Sequence, residues 1–180
     1  LVGSEMCIRD RTNMTIENTG TSDAWGIRFE SASDHNTISN NVILLDMIST
    51  DDVVGILASG NPTSEFTEAN NANYTLISNN VVIGGERSIH FEGVGTNLNT
   101  HNQFIDNDLG FSDDTGIYLD EQDSVVIIGN YIHDLRDLSN GDGIYCFDQM
   151  NFTIEENTVV VPDYGIYVSD GNFDFVPTGR

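Results

Sequence analysis

The chain contains no lysine and only six arginines among its 180 residues, against 29 aspartates and glutamates. Its formal net charge at pH 7 is −23. A surface this acidic repels the phosphate groups of nucleic acids and of anionic lipid headgroups. The composition therefore excludes nucleic acid as a partner. It is typical of a salt-adapted (halophilic) protein, in which high ionic strength screens the repulsion between carboxylates.

Three further absences restrict the possible folds of the chain. Cys146 is the one cysteine beyond the first eleven residues, so no internal disulfide is expected, and its place in the segment IYCF predicts a buried thiol. No apolar run approaches the roughly 20 residues of a membrane-spanning helix, so membrane insertion is not expected. Apolar spacing of three and four never persists for about ten residues, so helices are not expected either.

The ends of the chain and one insertion set the expected boundaries. Residues 1–11, LVGSEMCIRDR, read as the translation of a transposase sequencing adapter and are set aside as non-native. One domain is expected over residues 12–176, with an inserted loop near 59–73 and a tail at 177–180. No polar cap is visible at either end of the repeats, so we expect further coils or domains of a longer chain.

An asparagine motif recurs five times: TISNNVI, LISNNVV, QFIDNDL, VIIGNYI and TIEENTV. An apolar residue stands three positions before and two positions after the shared asparagine in each copy. Asparagine tolerates the left-handed backbone region, and stacked asparagines can hydrogen-bond to one another from coil to coil. We therefore predict a structural asparagine ladder. Its members are Asn41, Asn80, Asn107, Asn130 and Asn157.

A second motif precedes each asparagine motif and begins a strand. Its copies are WGIRF, VGILA, RSIHF, TGIYL, DGIYC and YGIYV, which share an isoleucine in the third position. Most of the repeat intervals lie in the twenties, and each repeat contains only short strand patterns. Such a period predicts a solenoid of stacked β-coils.

The Gly-Ile strand starts and the Asn-x-apolar turns, from about residue 13 to 168, resemble the right-handed parallel β-helix repeat family, a pectin-lyase-like superfold that includes pectate lyases and polygalacturonases. The resemblance implies an all-β, right-handed parallel β-helix of about six coils. It also implies an extracellular or cell-surface protein with a polysaccharide or another glycan as its partner. Fold alone does not fix function, so the site must carry that argument.

The family's catalytic motifs are incomplete in this chain. The segment NGDGIYCFDQMNFTIEEN resembles the first acidic coil of polygalacturonases through Asp142, but the next coil, PDYGIYV, lacks paired aspartates. Neither Gly-His-Gly nor Arg-Ile-Lys occurs. A polysaccharide lyase or glycoside hydrolase, a binding module and a purely structural surface repeat therefore stay open as functions.

Strand alternation predicts which side chains of the second motif point away from the coil interior. Aromatic and polar residues in these positions are typical of a sugar-binding face. The expected sugar contacts are Arg28, His90, Tyr118, Tyr145, Phe147 and Tyr167. Glu92 and Asp120, one coil apart, are the expected catalytic carboxyl pair, with His90 as auxiliary acid or base. The alternative is that stacked tyrosines stabilise the strands and the acids serve solubility.

Aspartates just before the Gly-Ile starts are candidate Ca²⁺ ligands, because carboxylate oxygens suit this cation. The expected ligands are Asp114, Asp142 and Asp163, and solvated turn residues are the alternative. Calcium bound over the whole acidic surface is likewise an alternative to salt adaptation. No transition-metal site is expected, because the histidines fall in different coil positions and are expected in turns or at the surface. These are His35, His90, His101 and His133.

Overall fold

The computed structural model describes residues 10–31, 33–47, 52–61 and 63–169, which form short β-strands and no helix. The strands, numbered in chain order, form three parallel sheets of six strands each. Sheet A contains β1 (Asp10–Thr12), β4 (Thr37–Ser39), β7 (Leu76–Ser78), β11 (Gln103–Ile105), β15 (Val126–Ile128) and β18 (Thr153–Glu155). Sheet B contains β2 (Thr15–Asn18), β5 (Val42–Leu45), β8 (Val81–Ile83), β12 (Asp108–Gly110), β16 (Tyr131–His133) and β19 (Thr158–Val160).

Sheet C, which carries the second motif, has the longest strands. It contains β3 (Ala24–Phe29), β6 (Val53–Ala58), β9 (Arg87–Glu92), β13 (Thr115–Asp120), β17 (Asp142–Phe147) and β20 (Ile166–Ser169). A fourth, two-stranded sheet joins β10 (Asn99–Thr100) to β14 (Gln122–Asp123). The chain visits sheets A, B and C in turn and then returns to A one layer further on. The predicted all-β solenoid is therefore confirmed, with six strands in each main sheet.

Isoleucine columns fill the interior. In sheet C, Ile56, Ile89, Ile117 and Ile144 pair in register and are fully buried. Comparable columns of buried Ile, Val, Leu and Phe line sheets A and B. Parallel sheets are stabilised by buried apolar side chains, and here those side chains are in contact from one coil to the next. Cys146 lies in the same interior and is buried, as its sequence context indicates.

The structure describes the last two residues of the segment that the sequence assigns to the adapter. Asp10 and Arg11, which the sequence assigns to the adapter segment, pair with Thr37 and Ile38 of β4 in the register of sheet A. The described ranges contain no helix that is long and apolar enough to cross a membrane.

The five repeat asparagines form a continuous column of side-chain hydrogen bonds between coils, which we call the asparagine ladder. The Nδ2 of Asn41 donates to Asn80 Oδ1 at 2.9 Å, and Asn80 donates in the same way to Asn107 at 3.0 Å. Asn107 to Asn130 and Asn130 to Asn157 repeat the bond at 2.9 Å. Backbone N–H groups donate to the same oxygens, so each Oδ1 receives two hydrogen bonds from the preceding coil.

The left-handed turn residue is not the ladder asparagine but the residue before it, which corrects the expectation from sequence. Gly129 has φ of 70°, and the equivalent residues of the other coils have φ between 53° and 56°. These are Asn40, Asn79, Asp106 and Glu156. Glycine adopts this conformation without steric cost, whereas a side chain such as that of Glu156 is disfavoured by roughly 1–2 kcal/mol. In the Gly129-Asn130 pair, glycine adopts the left-handed turn conformation and asparagine hydrogen-bonds to the next coil.

A second column of amides, which sequence reading missed, caps the ends of the sheet C strands. Asn99 donates to the carbonyl of Glu92 at 2.9 Å, Gln122 to that of Asp120 at 2.7 Å, and Gln149 to that of Phe147 at 2.6 Å. The capping residue is Asn in one coil and Gln in two others, and it does not follow the strand end at a constant interval. No fixed sequence motif therefore predicts this column. It fixes the strand ends at which the candidate site lies.

Replacement of Asn107 by alanine tests the asparagine ladder. Asn80 would lose the acceptor of two hydrogen bonds, and each unsatisfied buried group costs about 1–3 kcal/mol. We expect the free energy of unfolding, measured by urea denaturation, to fall by about 3 kcal/mol. The matched control is Asn97→Ala in an exposed turn, where the expected change is below about 0.5 kcal/mol. Equal losses in the two variants would contradict the role of the ladder.

Candidate functional site

The outward columns predicted on sheet C are in register in the structure. His90 pairs with Tyr118, Tyr118 with Tyr145, and Tyr145 with Tyr167. In the neighbouring column, Asp120 pairs with Glu92 on one side and with Phe147 on the other. Arg28 belongs to the first column but is separated from His90 by Leu57 and pairs with Glu30, so it lies two coils from the other residues.

The three tyrosines stack on one another along the solenoid. The ring centroids of Tyr118 and Tyr145 are 5.2 Å apart with 4° between the planes, and those of Tyr145 and Tyr167 are 4.7 Å apart with 16°. Stacked rings cover each other's faces, so the column presents ring edges and hydroxyl groups to a ligand. The outward surface of the column is therefore made of ring edges and hydroxyl groups and not of open ring faces.

The insertion folds back over sheet C through Glu65 and Phe66. The Phe66 ring lies 5.0 Å from the His90 ring and 5.7 Å from the Tyr118 ring, edge to face in both cases. The Arg87 guanidinium lies 4.8 Å from the centroid of the same Phe66 ring. Phe66 itself is 52% exposed, so it contributes an accessible aromatic ring beside the tyrosine column.

His90, which the insertion contacts, and Glu92 beside it are both buried, although both point away from the coil interior. Their exposed fractions are 0% and 3%. The expectation of a surface or turn position for His90 is therefore wrong. Alternation along a strand decides on which side a residue lies, but it cannot show that a loop from another coil covers that side.

Arg87 anchors the insertion and joins three acidic side chains, none of which the sequence pattern connects to it. Its Nη1 contacts the fully buried carboxylate of Glu65 and lies 3.0 Å from Glu86 Oε1, and its Nη2 donates to Asp114 at 2.5 Å. Removal of one partner of a buried ion pair is strongly destabilising, because the remaining buried charge is neither paired nor solvated. Glu65 and Arg87 therefore hold the insertion over His90.

A comparison with protein families matches residues 3–177 to the model of the right-handed beta helix region. The chain belongs to this family. The predicted right-handed parallel β-helix is thereby confirmed over nearly its whole length. Searches of the curated proteins and of the solved structures returned no match. A β-helix hosts many functions, so the chemistry of the site must carry the assignment.

The carboxyl pair of this β-helix has two different environments. Burial raises the pKa of Glu92 to about 8, and the neighbouring charge of Asp120 adds to the effect. The half-buried Asp120 has its pKa raised to about 6 by burial and then by the charge of Glu121. At neutral pH the first carboxyl is mainly protonated and the second mainly ionised, which is the division of labour of an acid and a base.

His90 completes this buried group. Its Nε2 lies 2.6 Å from Glu92 Oε1, while its Nδ1 is 3.6 Å from Glu65 Oε2, beyond a normal hydrogen bond. Burial, followed by the charge of Arg87, keeps the pKa of His90 well below its usual value. A neutral His90 thus orients the Glu92 carboxyl, and its full burial keeps it away from any ligand while the insertion stays in place.

The three predicted calcium ligands do not form a group with ligand atoms within 4.8 Å of one another in the part of the β-helix that the structure describes. Asp114 pairs with Arg87, and Asp142 accepts a hydrogen bond from the Tyr164 N–H at 3.1 Å. In those same ranges one oxygen each of Asp52, Glu65 and Glu86 lie within 4.8 Å of one another. Arg87 supplies positive charge beside that group. A Ca²⁺ site at Asp114, Asp142 and Asp163 stays a prediction.

His35 and His101 lie in turns and share one coil position, contrary to the expectation from sequence, whereas His133 ends strand β16 and does not lie in a turn. His35, Tyr74 and His101 stack with 4.8 Å between successive ring centroids, and all three have positive φ. Tyr74 separates the two imidazoles, so they cannot chelate one metal ion. His133 lies elsewhere, between Asp108 and Asp134, at 2.8 and 2.7 Å.

Proposed function

We propose that this β-helix binds a polysaccharide along the sheet C face, with the edges of Tyr118, Tyr145 and Tyr167 as its main contacts. The observation that carries the proposal is the in-register tyrosine column, half-buried and stacked over three coils. A stack of hydroxyl-bearing edges repeats at each coil, about every 4.8 Å, and so offers an extended ligand the same polar contact several times.

The surroundings of the column support binding to a polyhydroxylated chain. Asp120 and Phe147 lie in the adjacent column, and the exposed Phe66 ring borders Tyr118. Carboxylates accept hydrogen bonds from sugar hydroxyls, while aromatic rings contact their apolar faces. Because polymers of this kind surround cells, we expect the protein to act outside the cell or at its surface.

A second candidate function, hydrolysis of the bound polymer, is favoured by Glu92 and Asp120. These carboxyls lie on neighbouring strands in register, and coils about 4.8 Å apart suit the roughly 5 Å separation of retaining glycosidases. The raised pKa of Glu92 fits a general acid, and the ionised Asp120 fits a nucleophile. Since Glu92 is only 3% exposed and the insertion packs on its partner His90, hydrolysis also requires a movement that opens Glu92 to the substrate.

Alanine at Tyr118, Tyr145 and Tyr167 together tests binding. The loss of three hydroxyl contacts, each worth about 0.5–1.5 kcal/mol, should weaken the affinity for the bound polysaccharide at least tenfold. The measurement is isothermal titration calorimetry with a polysaccharide panel. Tyr131→Ala, an exposed ring on sheet B, is the matched control and should bind as the unaltered chain does. Undiminished affinity in the triple variant would remove the proposal.

Substitution of the carboxyl pair tests hydrolysis separately. Glu92→Gln should lower the release of reducing ends about 10²–10⁴-fold, as expected for loss of the general acid, and Asp120→Asn should lower it at least as much, because the nucleophile is lost. Asp120 must be ionised and Glu92 protonated, so activity should be highest between pH about 6 and about 8. Glu30→Gln, in the same column at the far end, serves as control. Reducing-end release that neither substitution changes would exclude this mechanism.

A further inference from the structure

The outward side of sheet C is divided into a covered part and an accessible part. Every residue of β6 and of β9 is buried, so both faces of these two strands are covered. In β13 and β17 the outward tyrosines, Tyr118 and Tyr145, are partly exposed. The preceding residue of the same column, His90, is 0% exposed. The accessible part of the column therefore begins abruptly at Tyr118.

Phe66 of the insertion lies at this boundary. Its ring is nearly perpendicular to the Tyr118 ring, with 86° between the planes and 5.7 Å between the centroids. The same ring packs on His90, but it is 52% exposed whereas His90 is fully buried, so it forms the outer layer. Phe66 and the buried Glu65 beside it, called the end wall below, thus stand at the point where the accessible tyrosines begin.

Hydrogen bonds fix the shape of the segment that carries the end wall. The Gly60 N–H donates to the Thr67 carbonyl at 2.7 Å and closes this segment at its base. The hydroxyl of Ser59, which is 1% exposed, donates to the Ser64 carbonyl at 2.7 Å. These bonds and the ion pair of Glu65 exist without a ligand. The end wall is therefore preformed.

The second half of the insertion is fixed to the coils as well. The Ala69 N–H donates to the Gly93 carbonyl at 3.1 Å, and Asn70 Nδ2 donates to the Asn97 carbonyl at 2.9 Å. Asn71 is fully buried. The insertion is thus a folded part of the β-helix, and a ligand on the tyrosine column has to end beside it or pass over it.

Resting on the proposed polysaccharide-binding function, we infer that the tyrosine column binds the terminus of a polysaccharide chain and that the end wall selects it. A chain that lies along the column from Tyr167 to Tyr145 meets the Phe66 ring when it reaches Tyr118. It cannot continue at the same level, because the column beyond that point is buried under the insertion. The terminal sugar can stop at Tyr118, whereas an internal segment is obstructed.

The groups at this position also suit a terminal sugar. The exposed Phe66 ring offers an apolar surface for contact with a sugar ring. A terminal sugar carries a free hydroxyl where an internal sugar carries a glycosidic bond. Asp120 is half-buried on the same strand as Tyr118, and its carboxyl group can accept a hydrogen bond from that hydroxyl. The terminus thus gains a contact that an internal segment lacks.

Partial hydrolysis of the polymer tests the inference. Xylan, a β-1,3-glucan, a mannan and polygalacturonate are each titrated by isothermal titration calorimetry, intact and after partial acid hydrolysis. For a polymer that binds, the mass concentration at half saturation should fall about tenfold when hydrolysis has raised the number of chain ends about tenfold, because each end is one site. A polymer that binds equally well by mass before and after hydrolysis would overturn the inference.

Phe66→Ala tests the contact with the terminal sugar. The affinity for the hydrolysed polymer should fall about three- to tenfold, which is the range of an aromatic contact. Phe111→Ala is the matched control: Phe111 is 37% exposed and packs edge to face on His133 as Phe66 does on His90, but it follows a strand of sheet B. Unchanged affinity in Phe66→Ala, or an equal loss in the control, would contradict the role of the end wall.

A shortened insertion tests the obstruction itself. An Asn-Gly turn in place of residues 61–66 suits the ends to be joined, because Gly60 and Thr67 are already hydrogen-bonded at 2.7 Å. Arg87 loses one carboxylate partner in this variant and keeps two. Intact and hydrolysed polymer should then bind equally well by mass, and a persistent preference for chain ends would overturn the inference. Melting temperatures verify folding, and if the shortened chain does not fold, the Phe66→Ala result decides.

The outcomes separate this inference from the function on which it rests. If none of the four polymers binds, intact or hydrolysed, the proposed function fails and the inference fails with it. If a polymer binds through the three tyrosines but gains nothing from hydrolysis, the proposed function stands and the selection of chain ends is overturned.

Discussion

The side-chain hydrogen bonds of the asparagine ladder set the register of the whole solenoid. The Nδ2 of each ladder asparagine donates to the Oδ1 of the next one, and the same Nδ2 of Asn80, Asn107 and Asn130 also donates to a strand carbonyl of the preceding coil. A slip of one residue in any coil would leave these buried amides without partners. Because register is fixed in this way, residues separated by more than twenty positions in the chain become neighbours on sheet C.

This register explains which parts of the molecule follow from sequence. The columns of isoleucine, tyrosine and asparagine repeat with a fixed spacing from the coil turns, so Tyr118 and Tyr145 can be placed side by side without coordinates. Local steric preferences were less informative: the left-handed residue is Gly129 in one coil and Glu156 in another, so the turn conformation tolerates side chains of very different kinds. The amide column that includes Asn99 and Gln122 could not be predicted from sequence, because the number of residues between the capped strand end and the amide differs between coils.

The candidate site was only half predictable, because it combines repeat and non-repeat elements. The repeat supplies the tyrosine edges and the carboxyls of Glu92 and Asp120. The insertion supplies Glu65 and Phe66, whose contacts with Arg87 and His90 depend on the path of an irregular loop. Burial raises the pKa of Glu92 to about 8 and that of Asp120 to about 6, a difference in protonation that the strand pattern does not predict.

Charge distinguishes this face from the rest of the acidic surface. Elsewhere carboxylates pair with arginine, as Asp114 does, or face solvent; on this face Glu92 is buried against His90 and Asp120 is half-buried. The proposed binding surface is the column of stacked tyrosines beside Asp120, and the regular spacing of the coils sets its geometry.

The central claim, that the asparagine ladder fixes the register on which the face depends, is tested most directly by native-state hydrogen exchange observed by NMR. The backbone amides of Asn80, Asn107 and Asn130 donate to ladder side chains and not to another strand. They should exchange as slowly as the amides of Ile89 and Ile117 in sheet C, since only opening of the stacked coils can release them. Exchange as fast as that of the exposed Asn97 turn would contradict the account.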